Sequence, residues 1–301
     1  MTRETLKADT LLLTTAAIWG FAFVAKRVGM EHLGPFTYSA ARFGLGCLSL
    51  LPLLIYVQRN RPGNQNRERR RVALTGGIAA GTVLFLGASL QQVGLTHTTA
   101  GNAGFITSLY VVIVPLLGLF SARSPRPGTW FGALLAAFGL YFLCLGDGLH
   151  ITSGDLLVLI GAFFWAGHVL LIGRYAPQTD SLWLAAVQFA VCSLLSLIIA
   201  LCHEVITLEA LWQASLPILY GGLGSVGIAY TLQVIAQRDS HPAHSAVIMS
   251  LEGLFAAVGG WLLLNEQLSA RGMFGCALML VGILLSQGAE FLTRKTAKLP
   301  A

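Results

Sequence analysis

The chain has 301 residues, of which 55% are hydrophobic and only 11% charged, and its mean hydropathy is +0.72. Soluble domains carry about 25% charged residues, so this composition excludes an ordinary globular protein and indicates a polytopic membrane protein. The net charge of +6 follows from where the cations lie, as described below, and we expect no nucleic-acid partner.

Ten apolar segments are long enough to cross a bilayer, which takes about 20 mostly apolar residues. In chain order they lie at 9–27, 35–57, 72–95, 99–121, 128–146, 155–173, 182–202, 215–236, 243–264 and 271–289. The longest connection between them is the arginine-rich loop at 58–71. We therefore predict an all-α fold with ten transmembrane helices.

The lysines and arginines are unevenly distributed between the two sides of these predicted spans. If the N-terminus is cytoplasmic, fifteen of them lie in cytoplasmic segments, whereas three, Lys26, Arg27 and Arg271, lie in external ones. Positive charge collects on the cytoplasmic side of membrane proteins. Both termini are therefore predicted to be cytoplasmic, and this placement explains the basic pI.

The second half of the sequence repeats the first at low identity. The segment "DTLLLTTAAIWGFAF" from Asp9 aligns with "DLLVLIGAFFWAGHV" from Asp155, and both aspartates are predicted helix N-caps. Each repeat contains five spans, an odd number, so the two halves cross the membrane in opposite orientations. Inverted repeats are typical of secondary transporters, which bind substrate near the midplane between the halves. The predicted repeats are 1–149 and 150–301.

Four kinds of motif follow one another along the chain. They are a tryptophan in the first helix of each repeat ("AAIWGFAFV", "AFFWAGHVL"), "AARFGL" in the second helix, "FITSLYVVIVPLLG" in the fourth and "SLEGLFAAVGGWLLLNEQLS" in the ninth. Together they resemble the EamA branch of the drug/metabolite transporter superfamily. The resemblance implies a ten-helix carrier of the bacterial-type inner membrane, usually an exporter of small metabolites, with a central cavity. The first repeat departs from the pattern, with "LFSARSP" in place of "LLNEQL".

Glu252 lies in the ninth predicted span, with apolar residues on both sides for several turns. It is about nine residues into the helix, or ~14 Å, close to the midplane of a ~30 Å core. An ionisable group there costs roughly 2.5–3.5 kcal/mol on insertion scales and is a functional candidate by default. It binds a cationic substrate group, carries a coupling proton, or only holds the halves together. Tyr110 is its partner in the first repeat.

Three further residues near the midplane are candidates. Trp19 and Trp165 occupy equivalent positions in the two repeats, away from the interfaces where aromatic belts form. They either line the cavity or pack helices together. His168 follows Trp165 by one helical turn. It either relays protons, since histidine titrates near neutral pH, or is a buried structural residue.

Arg42 and several amides complete the polar set inside the spans. Arg42 either extends to the lipid headgroups or binds an anion or a neighbouring helix near Gln188, its repeat partner. Amides in spans often join helices by hydrogen bonds, and some of them are candidates for the cavity wall: Gln91, Gln92, Asn102 and Gln233. The glycine motifs at 76–81 and 221–227 predict close helix approach, with a hinge as the alternative.

The sequence lacks the usual motifs of membrane enzymes and ATP-driven pumps. None of the four lysines follows a glycine, which excludes a P-loop, and there is no H-E-x-x-H or G-x-S-x-G motif. The five cysteines are dispersed in apolar runs, so we expect no cofactor and no metal. We predict a secondary transporter in the lipid bilayer that exports small amino-acid-like or amphipathic drug-like molecules by alternating access, with proton coupling as a further hypothesis. The alternative is an intramembrane enzyme or a non-transporting scaffold.

Overall fold

The computed structural model describes residues 3–60, 67–119, 127–144, 152–264, 270–275, 277–282 and 285. Over these ranges the chain is helical and forms no strand. The first half contains α1 (Arg3–Gly29), α2 (Pro35–Asn60), α3 (Arg67–Leu95), α4 (Ala100–Ser108), α5 (Tyr110–Gly118) and α6 (Pro127–Cys144).

The second half follows the same order. Its helices are α7 (Ser153–Tyr175), α8 (Ser181–His203), α9 (Leu208–Gln213), α10 (Ser215–Leu219), a π-helical segment (Tyr220–Tyr230), α11 (Thr231–Gln237), α12 (Pro242–Met249) and α13 (Glu252–Leu263). A short 3₁₀ turn, Ala176–Gln178, extends α7.

The helices confirm a multi-pass membrane protein. Among the described residues, eight stretches are long and apolar enough to span a bilayer, and they coincide with eight of the predicted spans. Two shorter apolar helices, Trp130–Gly139 and Ala270–Gly282, lie at the places of the fifth and tenth predicted spans. Large apolar side chains such as Leu48, Phe131 and Leu201 are exposed on the outside of the bundle, as lipid contact requires. The count of ten spans and the cytoplasmic termini stay predictions.

The two halves contact each other through a symmetric set of helix pairs. The first helix of each half packs against the fourth span of the other, α1 on α12–α13 and α7 on α4–α5. The second helices, α2 and α8, pack together, and each also packs against the third span of the opposite half. Exchanging the halves reproduces the same pairs.

Glycines allow the closest of these contacts. A Cβ added at Gly81 of α3 would lie 2.8 Å from the backbone oxygen of Gln188, and one at Gly222 would lie 2.7 Å from the Leu45 side chain. Both distances are too short for real side chains. The two glycine motifs therefore serve close helix approach, as predicted.

The fourth span of each half is broken near its middle, which the sequence did not predict. In the first half α4 ends at Ser108 and α5 begins at Tyr110, and in the second half α12 ends at Met249 and α13 begins at Glu252. At each break the backbone makes a tight i→i−3 hydrogen bond, such as Leu251 N to Ile248 O at 3.2 Å. Breaks of this kind often mark functional hinges. Tyr110 and Glu252 are thus the first residues of the two second half-helices.

The glycine contacts generate a stability prediction. Gly81→Ala places a methyl group against backbone atoms of α8. Overpacking of this kind lowers the free energy of unfolding by about 1–3 kcal/mol, so we expect the detergent-solubilised variant to melt at a lower temperature than wild type. The matched control is Gly167→Ala on α7, whose added Cβ meets its nearest neighbour at 3.7 Å. This control should melt at the wild-type temperature or above it, because alanine favours helix. Equal melting temperatures for Gly81→Ala and Gly167→Ala would contradict the close packing of α3 against α8.

Candidate functional site

A small closed cavity lies between the halves at the level of the two helix breaks. Its volume is about 20 Å³, and a water molecule needs about 10–15 Å³ by the same measure. The cavity as it stands therefore admits one water molecule and no metabolite. The residues that line it are Trp19, Lys26, Gln91, Thr107, Tyr110, Trp165, His168, Val169, Ser225, Tyr230, Gln233 and Glu252.

One wall of the cavity is aromatic and is built by both halves. Tyr230, at the end of the π-helical segment, lies 4.5 Å from Trp19 and is stacked on Trp165 at 6.2 Å between ring centroids. The Nε1–H of Trp19 donates to the carbonyl of Ser225 at 3.2 Å. Tyr230 was not predicted as a site residue, because neither charge nor repeat symmetry marks it in the sequence.

The opposite wall carries the charged groups. Glu252 is 4% exposed, and its Oε1 has no hydrogen-bond partner among the described residues. Tyr110 faces it from α5, close enough for the two groups to interact, although its hydroxyl makes no hydrogen bond of ordinary geometry. The ammonium of Lys26 donates to Oε1 of Gln91 at 2.6 Å, and Nε2 of Gln91 donates to Thr107 at 2.8 Å.

The position of Lys26 corrects the sequence analysis, which counted it among the external cations. The helix α1 continues to Gly29, beyond the predicted end at residue 27, and Lys26 lies on its inner face. The side chain is 6% exposed, and Nζ lies 4.3 Å from the centre of the Phe23 ring. Lys26 is therefore part of the cavity, and two of the nineteen cations, Arg27 and Arg271, remain on the side predicted to be external.

His168 lies on the cavity wall, fully buried, beside Trp165. Its Nε2 is 2.8 Å from Oε1 of Gln188, which lies behind it on α8 and does not reach the cavity. Nδ1 of His168 has no hydrogen-bond partner in the described structure. The imidazole is thus held in one orientation by a neutral amide.

Arg42 and Asn102 lie outside the set of lining residues. Arg42 is 1% exposed, which corrects the expectation that it extends to the headgroups. Its guanidinium stacks over Phe43 at 4.5 Å, and Nε and Nη2 have no described partner. Asn102 is half-buried in the first turn of α4, where its backbone N–H donates to the Thr99 hydroxyl. Gln92 and Gln188 are also absent from that set. Seven predicted candidates do line the cavity: Trp19, Gln91, Tyr110, Trp165, His168, Gln233 and Glu252.

Among the polar contacts that join the halves, two involve the equivalent aspartates of the two repeats. Oδ1 of Asp9 on α1 lies 2.9 Å from Nε2 of His244 on α12, and both side chains are buried. In the second half, Asp155 on α7 accepts from the Thr98 hydroxyl at 2.6 Å, just before α4. We call these the Asp9 contact and the Asp155 contact. They correct the N-cap prediction, because α1 begins six residues before Asp9, and Thr152 is the N-cap of α7.

Asp155 still helps to start its helix. Its side chain accepts the backbone N–H of Thr152 at 2.8 Å, which completes a capping box. Among the described residues no three histidines, cysteines or carboxylates are placed to hold a metal ion.

Comparison with known proteins agrees with this architecture. An uncharacterized transporter of Archaeoglobus fulgidus is 32% identical over 286 residues, which cover 93% of this chain and 85% of the relative. The threonine/homoserine exporter RhtA of Escherichia coli (strain K12) is 28% identical over 297 residues, which cover 96% of this chain and 92% of RhtA.

The fold also matches a known structure. A crystal structure that is 18% identical in sequence superposes with a TM-score of 0.74, covering 96% of this chain and 98% of the other. The model of the EamA-like transporter family matches residues 6–145 and again residues 152–287. These two matches cover nearly the whole chain and confirm the resemblance noted in the sequence. The chain belongs to the EamA-like transporter family.

Proposed function

We propose that this protein is a secondary transporter that exports small metabolites, either amino-acid-like or amphipathic drug-like, by alternating access. The observation that carries the proposal is the cavity where the broken fourth spans meet. Both halves line it, with aromatic rings on one wall and buried charged groups on the other. The family is one of transporters, and the relative RhtA is named as an exporter of threonine and homoserine.

The packing directions of the helices support ten spans in two inverted repeats, 1–149 and 150–301. Contacts of α1 with the ninth predicted span advance in the same direction along both helices, from Asp9 with His244 to Gly20 with Ala256. Two spans run parallel only if the chain crosses the membrane an odd number of times between them. The described residues contain six long spans between these two, which is an even number. A crossing by the short helix Trp130–Gly139 makes the number odd.

The antiparallel packing of α3 and α7 supports the same count. Gly94 meets Gly154, and Gly87, earlier on α3, meets Trp165, later on α7. Antiparallel helices need an even number of membrane crossings between them. One long span, Ala100–Gly118, lies between α3 and α7, so a crossing by Trp130–Gly139 again gives the required number. With the cation distribution, it supports cytoplasmic termini, and the family favours a bacterial-type inner membrane.

Alternating access follows from the closed cavity and the two inter-half contacts. A metabolite enters only when the cavity opens, because its present volume of about 20 Å³ excludes one. Asp9 and Asp155 lie near the starts of equivalent helices in inverted repeats. Their contacts therefore lie on opposite sides of the membrane, at the two ends of the transport path through the central cavity. The Asp9 contact closes the cytoplasmic end and the Asp155 contact closes the external end. Each breaks in turn while the other holds.

Glu252 and His168 are the groups that couple transport to protons. Glu252 lies at the start of α13 and lines the cavity. Its Oε1 has no hydrogen-bond partner among the described residues. Ionisable groups at this depth are typical of proton relays. An enzyme or a scaffold is the alternative, and the relatives, which are named transporters, favour transport.

Reconstitution in liposomes tests transport and coupling together. We expect wild-type protein to move a small metabolite faster than empty vesicles do. Glu252→Gln should abolish uptake driven by a proton gradient and leave counterflow exchange intact, because the amide keeps the shape and loses the proton. The control is Glu209→Gln at an exposed position on α9, which should behave as wild type. Equal loss of both activities in Glu252→Gln would point to folding or binding instead.

Thiol labelling tests the orientation. The background is Cys202→Ser, since Cys202 is exposed. In intact cells a membrane-impermeant maleimide should miss Asn64→Cys in the arginine-rich loop and should label Gln213→Cys at the end of α9. Labelling of Asn64→Cys from outside would overturn the proposed topology.

Cross-linking tests alternating access. A short, cleavable bis-thiosulfonate should join Asp9→Cys to His244→Cys in a double variant, because their parent side chains are in contact. Transport should fall at least tenfold and return when the cross-linker is reduced. The single variant Asp9→Cys, treated in the same way, controls for modification alone. Full transport by the cross-linked protein would show that this end of the path does not open.

A further inference from the structure

A group of apolar side chains is exposed at one end of the bundle, in and around the short helix α9. Val205, Leu208, Trp212 and Leu216 are 88%, 85%, 79% and 76% exposed. We call these four residues the α9 patch. Water is an unfavourable environment for apolar surface of this extent, and such patches mark sites of interaction with a protein or a membrane.

The helix α9 has three different faces. Leu208 and Trp212 are four residues apart and share the exposed apolar face. Glu209 and Gln213 share the next face, where both side chains are exposed and Nε2 of Gln213 donates to Oε1 of Glu209 at 3.5 Å. The third face, which includes Leu211, packs against the protein. A helix with protein, polar and apolar sides fits a boundary between water and lipid.

The packed face places α9 at the level where the spans end. Leu211 packs against a small cluster formed by Leu33, Tyr38 and Ala214. Leu33 lies in the connection between α1 and α2, and Tyr38 lies in the first turn of α2. The Tyr38 hydroxyl donates to the carbonyl of Pro217 in α10 at 3.1 Å. The helix α9 therefore lies beside the ends of these spans and does not extend beyond them into solution.

The α9 patch continues the lipid-facing surface of the bundle. Leu201, in the last turn of α8, is 68% exposed, and Leu219 of α10 is 48% exposed. Both lie in membrane spans, Ser181–His203 and Ser215–Gln237, which precede and follow α9 along the chain. The sequence has no lysine or arginine from residue 175 to residue 237. Contact of this region with lipid therefore depends on its apolar surface and not on attraction to anionic headgroups.

We propose that α9 is an interfacial anchor, which inserts Leu208 and Trp212 at the boundary between the headgroups and the acyl chains of phospholipids and leaves Gln213 in water. Tryptophan is enriched at this boundary, because its ring is apolar and its N–H is polar. Amphipathic helices in this plane bind through the apolar area that they bury. Since α10 joins α9 to the π-helical segment, the anchor fixes the start of the span that carries Tyr230. Such an anchor requires neither the transport function nor one orientation of the chain.

Spin labelling measures the environment of each face of α9. A nitroxide is attached to Leu208→Cys, Trp212→Cys or Gln213→Cys, one at a time, in the full chain without its five native cysteines. The protein is reconstituted in phosphatidylcholine vesicles. Collisions of the label with oxygen, which concentrates in the bilayer, are compared with collisions with a water-soluble nickel chelate. The ratio of oxygen to nickel collisions should be several-fold higher at Leu208→Cys and Trp212→Cys than at Gln213→Cys.

Two controls accompany the measurement. Leu201→Cys on the lipid-facing side of α8 gives the reference ratio for a label in the bilayer. All four labelled positions are exposed, so the variants should melt in detergent at the temperature of the cysteine-free parent. Addition of anionic phosphatidylglycerol to the vesicles should leave the ratios unchanged, because the region has no lysine or arginine.

Other outcomes would overturn the anchor. A ratio at Leu208→Cys and Trp212→Cys as low as that at Gln213→Cys would show that the patch faces water. Few collisions with either reagent would show that protein covers the patch, and spin–spin broadening between labels would then identify a second copy of the chain. Insertion only in the presence of phosphatidylglycerol would show that headgroup charge, and not apolar contact, draws α9 to the membrane.

Discussion

Backbone groups in lipid must be hydrogen-bonded within the protein, since each unsatisfied group costs several kcal/mol. This constraint decides where a spanning helix is allowed to break. Both fourth spans break beside buried residues, Tyr110 and Glu252, where the first helix of the opposite half covers them. The tight turns at Leu109 and Leu251 keep their backbone hydrogen bonds within the chain, and the opposite half buries them. The charged side chains of Lys26 and Glu252 are buried from lipid at the same junction, so the helix breaks, the carboxylate and the cavity lie close together.

The two halves share an architecture but differ in the groups that carry chemistry. Tyr110 and Glu252 occupy equivalent positions, so the junction of the broken spans carries one carboxylate rather than two. The Asp155 contact uses a hydroxyl, whereas the equivalent Asp9 contact uses an imidazole. The third span is regular helix in the first half and π-helical in the second. In the proposed mechanism, symmetry supplies the alternation of the transport path, and these departures from symmetry supply its selectivity and coupling.

Hydropathy was enough to predict the eight long spans of the described structure, and the midplane positions of Trp19, Trp165 and Glu252 were enough to predict residues that line the cavity. They were not enough for Lys26, because α1 has apolar residues on all faces and its periodicity does not show which face points inward. The turns at Leu109 and Leu251 contain no proline or glycine, so no local signal in the sequence marks them. Tyr230 was missed because it lies at the end of a π-helical segment, which hydropathy does not predict; that segment packs against α1 and α2.

The central claim is that one cavity opens in turn to each side of the membrane. The most direct measurement places a thiol in its wall as Ser225→Cys, close in shape to the serine that lines the cavity. A membrane-impermeant thiol reagent is then added to one side of oriented vesicles at a time. The account predicts reaction from either side, with solute that saturates the site slowing both reactions. Reaction from one side only, or from neither during active exchange, would contradict it.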